Sequence, residues 1–309
     1  MIILFVMNWF WIALIGPVLY SIANHTDKFL ISKYLKGGQV GAIIIFSSLF
    51  SIAALPFVIS IHPDIFNIGL WQGIALAING TLVVVILLLY FYALYRDEAS
   101  YVVPFYQTIP IFGFILGYFI LGETITFLQG GASIIIIVGA LILSFDIGLN
   151  KIRFKKEVVI LMLTASFLYA VNGVIFKLIA LDGGFWPSLF WGLVGKIIMG
   201  IMFLLFVPVY RNQFLAMIRE NKVAVLGLTS LSETLFIFGE AVTQYATLLA
   251  PVVLVLLVNS FQPLFVFILG ILITLFLPQI NQESLDYRQV IQKIIGIGLV
   301  IFGTLFLGI

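Results

Sequence analysis

The chain has no cysteine, only two histidines in 309 residues, and just 9% charged residues. Without thiols it can form no disulfide, thiolate metal site or cysteine nucleophile. The two histidines, His25 and His62, fall in different segments. No zinc-type histidine pair, phosphate-binding glycine loop or nucleophile elbow is present either. ATP hydrolysis, enzymatic catalysis, a resident metal and a cofactor are therefore not expected. A formal charge of +2 with no basic arm gives nucleic acid nothing to hold. Soluble domains carry about a quarter charged residues to cover their surface, and this chain falls far short. What it has instead is apolar bulk: 63% hydrophobic residues, including 30 phenylalanines. Lipid is the solvent that fits.

A bilayer core about 30 Å thick needs roughly 20 apolar residues per helix. Ten stretches reach that length: 8–30, 38–60, 70–94, 99–121, 127–145, 158–179, 186–208, 223–244, 250–276 and 290–308. They are continuously apolar, not alternating, which selects helices over a β-barrel. Ile2–Tyr20 lacks a basic leader and a small-residue cleavage site, so it reads as the start of the first span, not a removable signal. The expected fold is an all-α polytopic membrane protein with ten transmembrane helices. Trp9, Trp11, Trp71 and Trp186 lie near span ends, where indoles anchor at the interface.

The basic residues are one-sided. Lys33 and Lys36 follow the first span, Arg96 the third, and Lys151, Arg153, Lys155 and Lys156 the fifth. Arg211, Arg219 and Lys222 follow the seventh, Arg288 and Lys293 the ninth, and the termini and remaining links have none. The positive-inside rule then puts the odd-numbered links in the cytoplasm and both termini outside, in a cell membrane.

Three blocks recur in order. Leu19-Tyr20 with Lys28 matches Leu168-Tyr169 with Lys177. Tyr92-Ala93, Pro110 and Phe114-Ile115-Leu116-Gly117 match Tyr245-Ala246, Pro263 and Phe267-Ile268-Leu269-Gly270. The run from Glu123 to Gln129 matches that from Glu283 to Gln289, and Gly139 matches Gly303. Up to Gln129 the offset grows only across links, where insertions are tolerated. This divides the chain into a first repeat (1–146), a basic loop (147–157) and a second repeat (158–309). Five spans per repeat is an odd number, so the second repeat enters from the opposite face. Inverted repeats are typical of secondary transporters, with the substrate near mid-membrane where the halves meet.

The stretch Ala99–Ser144 holds a proline-rich span, then Leu121-Gly122-Glu123, Gln129 and a glycine-spaced helix through Gly139. It resembles an EamA domain of the drug/metabolite transporter superfamily, and Glu283, Gln289, Gly296 and Gly303 mark a more divergent copy. The resemblance implies a 5+5 helix fold in which spans 1, 3, 4, 6, 8 and 9 line a central cavity and spans 5 and 10 pack away from it. Familiar ten-span members keep both termini in the cytoplasm, the reverse of the orientation the basic residues give.

Ionisable groups inside a span cost about 2.5–3.5 kcal/mol or more each, so they are candidates for function. Glu233 stands mid-span among Ser230, Ser232 and Thr234, with Glu240 two turns further along the same face. A desolvated carboxylate there can carry a proton or bind an amine. Lys196, in the seventh span, is expected either to pair with Glu233 or to bind a solute carboxylate or phosphate. His25, Asp27 and Lys28 near the end of the first span, with Lys177 at the repeat position of Lys28, are gate candidates, or simply an interfacial helix end. Pro110 and Pro263 free the carbonyls of Tyr106 and Asn259. Gln107, Asn259 and Gln262 beside them are solute-binding candidates, and Asn79 and Asn172 are weaker ones. Glu123 and Glu283 are expected to complement the positive N-termini of spans 5 and 10, and Gly113-x-x-x-Gly117 to allow close helix contact.

Together these features point to a secondary transporter moving a small polar or amphipathic metabolite, such as an amino acid, sugar derivative or drug-like solute. Both signs of charge among the candidates favour a zwitterion, and protons or another ion would supply the drive, or exchange would. A flippase for lipid-linked sugars or headgroups, and an ion channel, are the competing readings.

Overall fold

The computed structural model describes residues 8–33, 40–97, 102–145, 155–220, 223–276 and 287–307. The links bearing Lys36, Lys151, Arg153, Lys222 and Glu283 lie outside them, as do the side chains of Lys33, Arg288 and Gln289. The helices are α1 (Asn8–Lys33), α2 (Val40–Ile61), α3 (Leu70–Arg96), α4 (Ile109–Leu121), α5 (Phe127–Ser144), α6 (Lys156–Gly183), α7 (Phe185–Phe206), α8 (Pro208–Glu220), α9 (Val223–Leu249), α10 (Val252–Val258), α11 (Gln262–Phe276) and α12 (Tyr287–Thr304). Short 3₁₀ segments, Val103–Thr108 and Asn259–Phe261, run into α4 and α11.

Eight helices among the described residues are long and apolar enough to cross a membrane, with Val103–Leu121 and Val252–Phe276 each counted as one. The ten-span expectation exceeds this because α1, though 26 residues long, turns polar from Ser21 to Lys28, and α12 offers only the shorter apolar stretch Val290–Thr304. Phe119, Phe127, Phe206 and Leu275 point outward from the bundle. Such a belt suits lipid, and the protein is a multi-pass membrane protein.

Glycines set the closest helix contacts. A Cβ at Gly80 on α3 would stand 1.9 Å from the carbonyl oxygen of Gly192 on α7, and one at Gly195 would stand 1.8 Å from that of Ala77. The two backbones can meet only because both positions lack a side chain. Helices α5 and α12 pair with each other. A Cβ at Gly139 would lie 2.9 Å from the Gly296 oxygen and 3.0 Å from Val300, while one at Gly303 would lie 3.0 Å from the Ala132 oxygen and 2.7 Å from Ile136. Each glycine thus meets the residues three and seven positions before the other. Gly113 packs on Leu256 of α10, as its motif suggested, whereas Gly117 abuts Glu123.

The prolines act differently from expectation. The carbonyls they release at Tyr106 and Asn259 are taken by the amides of Ile109 and Gln262. Tightening to 3₁₀ gives each of these orphan acceptors a backbone donor.

Helix α8 is an addition within what the sequence presents as a polar link. It buries Met217 and turns Arg211, Leu215 and Arg219 outward. Its Gln213 accepts the Gly41 amide at 2.9 Å, and the Tyr210 and Tyr92 hydroxyls meet at 2.9 Å. These bonds hold α8 against the ends of α2 and α3.

Candidate functional site

Four helices converge on a polar crevice. Leu76, Asn79, Gly80 and Val83 come from α3, Asn172 and Phe176 from α6, Leu189, Gly192, Leu193 and Lys196 from α7, and Ile237, Glu240 and Gln244 from α9. The tight Gly80–Gly192 approach brings α3 and α7 together beside it. The crevice has room for about one water molecule.

Lys196 donates to Glu240 at 3.3 Å, with side chains 7% and 22% exposed. This corrects the expected Lys196–Glu233 pairing. The carboxylate two turns further along α9 takes the bond, while Glu233 lies near enough to feel the charge of the lysine. Gln244, one turn beyond, donates to the other Glu240 oxygen at 3.3 Å. Asn79 and Asn172 each donate their side-chain amide to the other's backbone carbonyl, at 3.0 and 3.1 Å. The side-chain oxygens of Asn79 and Gln244 are buried without a partner. An unmet acceptor in a dry site is costly, so both are ready to take a donor from a bound molecule. Span 7 thus contributes to the crevice, which the resemblance did not foresee, while Gln107, Asn259 and Gln262 stand apart from it.

Glu233, 7% exposed, accepts a 2.7 Å bond from Ser47 of α2. Asp27 on α1 lies near it and beside Ser232 and Tyr90. His25 places Nε2 at 2.9 Å from the Val266 carbonyl of α11, and Lys28 is exposed. Gln107 is buried with its side-chain oxygen unpartnered. Asn259 reaches the Tyr169 hydroxyl at 3.5 Å, and Gln262 is half-buried.

Lys177 is remote from the other gate candidates. It bonds Glu123 at 2.5 Å and the Ala250 carbonyl at 2.7 Å, while the second Glu123 oxygen takes the Val252 amide at 2.7 Å. Glu123 therefore caps α10, not α5 as expected. The start of α5 has its own cap, in which Thr126 and Gln129 satisfy each other's backbone amides.

Sequence could have found Gln244, which follows Glu240 by four residues on one helix face. Ser47 carries no local signal, since only folding brings α2 to Glu233.

The sequence profile of the EamA-like transporter family matches residues 7–145. That stretch is an EamA-like domain. In this stretch the chain is similar to EamA-like transporters. No curated protein sequence matches it. A solved crystal structure shares the fold, with a TM-score of 0.65 at 12% identity over 96% of this chain and 95% of that one. The likeness therefore extends past the EamA-like domain into the half that the profile does not reach.

Proposed function

We propose that the protein is a secondary transporter that moves a small polar or amphipathic metabolite by alternating access, with two inverted five-helix halves closing around the crevice. The observation that carries this reading is the Lys196–Glu240 pair, held with unpartnered amide oxygens between helices of both halves. A cation and an anion at one point suit a solute bearing both charges, such as an amino acid, which would separate the pair and take one partner with each end.

Three features support the inverted halves. The mirrored contacts of Gly139 and Gly303 are those of two antiparallel helices related by a two-fold axis. The 3₁₀ bonds at Tyr106 and Asn259 occur at matching repeat positions. Tyr20 and Tyr169, also matching, face one another in the interior. Residues near a two-fold axis must meet their own mates. The narrowness of the crevice fits a closed state of the cycle, and either an ion gradient or exchange supplies the drive.

Counterflow tests the proposal. Purified protein in liposomes loaded with unlabelled amino acids should accumulate labelled solute transiently with no ion gradient, because a carrier exchanges solute across the membrane. Conductance without counterflow would instead identify a channel.

A further inference from the structure

We propose that α8 is an interfacial helix whose outward face, Arg211, Leu215, Ile218 and Arg219, binds the headgroups of anionic phospholipids. The inference does not rest on the carrier reading. It requires only that the bundle spans a bilayer.

Helix lengths and contacts place α8 at the membrane surface. The 22 residues of α7 extend about 33 Å, enough to cross a hydrocarbon core of about 30 Å. After a single residue, Val207, α8 begins, and only two residues separate its end from α9. Its partners are helix ends. Tyr210 meets the ring of Phe203 near the end of α7 and the hydroxyl of Tyr92 near the end of α3. Gln213 takes the Gly41 amide at the start of α2, and Phe214 and Met217 cluster with Ala42 and with Val225 at the start of α9. A 13-residue helix, about 20 Å long, that touches the ends of four spans lies along the interface and not through it.

The outward face combines apolar and basic side chains. Arg211, Leu215 and Arg219 recur at four-residue spacing, so they form one row, with Ile218 beside it. All four are exposed. At an interface Leu215 and Ile218 enter the acyl boundary, while the arginines lay their stems along it and raise their guanidiniums to the phosphates. The planar fork of a guanidinium matches phosphate oxygens with paired N–H donors. Eight residues, about 12 Å along the helix, separate the two arginines, so each engages its own phosphate.

The charge inventory selects lipids of net negative charge. At the same end of the bundle Arg96 is paired with Glu157 at 2.7 Å and Lys155 with Asp97 at 3.7 Å. Arg211 and Arg219 stand in no ion pair among the described residues. The acidic residue of α8, Glu220, is at its last position, and Lys222 follows it in the chain. A zwitterionic headgroup brings its own cation, so only an anionic lipid supplies the charge that the two arginines lack. Each basic group near an anionic membrane surface strengthens binding on the order of fivefold.

The experiment uses full-length protein carrying Asn212→Cys, an exposed position beside the row and the sole cysteine in the chain. A fluorophore on it reports α8 in phosphatidylcholine bilayers, with brominated phosphatidylglycerol or brominated phosphatidylcholine as the quencher. Both lipids should quench, and phosphatidylglycerol should be preferred by at least about fivefold at low salt. Arg211→Gln and Arg219→Gln should each lower that preference by about fivefold, and together they should abolish it. The paired Arg211→Lys and Arg219→Lys variant should keep most of it, which separates lost charge from misfolding. Inorganic phosphate added at matched ionic strength should leave the preference intact. Absence of quenching by either lipid would place α8 away from the bilayer and overturn the proposal. So would equal quenching by the two lipids, or a preference undiminished in the double glutamine variant. Loss of the preference to inorganic phosphate would make this a site for the free anion and overturn it as well.

Discussion

Lys177 on α6 and Glu123 in the link after α4 meet at 2.5 Å, and the same two side chains hold the Ala250 carbonyl and the Val252 amide. The junction between α9 and α10 is thereby pinned to the end of α4. The side chains are only 10% and 12% exposed, so neither charge has water to fall back on. Removing one partner of such a buried pair costs about 3–5 kcal/mol. Lys177→Met should therefore destabilise strongly, and Lys177→Met with Glu123→Gln should recover part of the loss. Chemical unfolding of the two single variants and the double variant measures the coupling. Additive losses would show the pair to be incidental.

Glycine positions on α7 offer a sharper structural test. A Cβ at Gly195 would stand 1.8 Å from the Ala77 oxygen, whereas one at Gly192 would meet nothing within 4 Å. Gly195→Ala must push α3 from α7 and should cost about 1–3 kcal/mol or more. Gly192→Ala should be neutral, or stabilising by about 0.5–1 kcal/mol through the better helix propensity of alanine. The two melting curves, taken side by side, decide it. Equal effects would mean that α3 and α7 do not meet as described.

How much of this was legible in the sequence depended on distance along the chain. The long helices were readable because apolar runs announce themselves, and α2 and α3 match their expected limits within two residues or so. Helix α8 was not, because Arg211, Asn212 and Arg219 dilute its apolar content below a span's and Pro208 reads as a stop. The prolines signalled lost donors but not the 3₁₀ bonds that replace them at Tyr106 and Asn259. Lys196 and Glu233 were each recognisable as interior charges, yet their partners, Glu240 and Ser47, are fixed by how α7 and α2 cross α9. Glu123 was credited to the helix that follows it because a contact with Val252, 129 residues away, leaves no local mark.

The crevice pair yields a prediction about solute handling. Glu240→Gln leaves Lys196 unpaired but retains a hydrogen-bonding side chain, while Lys196→Gln removes the cation. If a zwitterion separates the pair, each variant should lower counterflow at limiting solute by at least about tenfold, which corresponds to about 1.4 kcal/mol of lost binding. Asn79→Asp, which adds a negative charge next to the Lys196–Glu240 pair, should shift preference towards cationic solutes. Undiminished counterflow in both charge variants would move the solute elsewhere in the bundle.

Orientation is testable without background, because the native chain has no cysteine to react. Lys155 sits at the start of α6 beside Arg96 and Asp97, with its side chain 59% exposed. Asp182 lies near the opposite end of the same helix and is also exposed. The basic residues gather at the Lys155 end, and the positive-inside rule assigns that end to the cytoplasm. A cysteine at position 155 should therefore resist an impermeant thiol reagent in intact cells and react after lysis, whereas one at 182 should react in both. Both sites lie on one continuous helix, so labelling of 155 and protection of 182 in intact cells would invert the assignment for the whole bundle, and with it the face on which the Lys177–Glu123 contact closes.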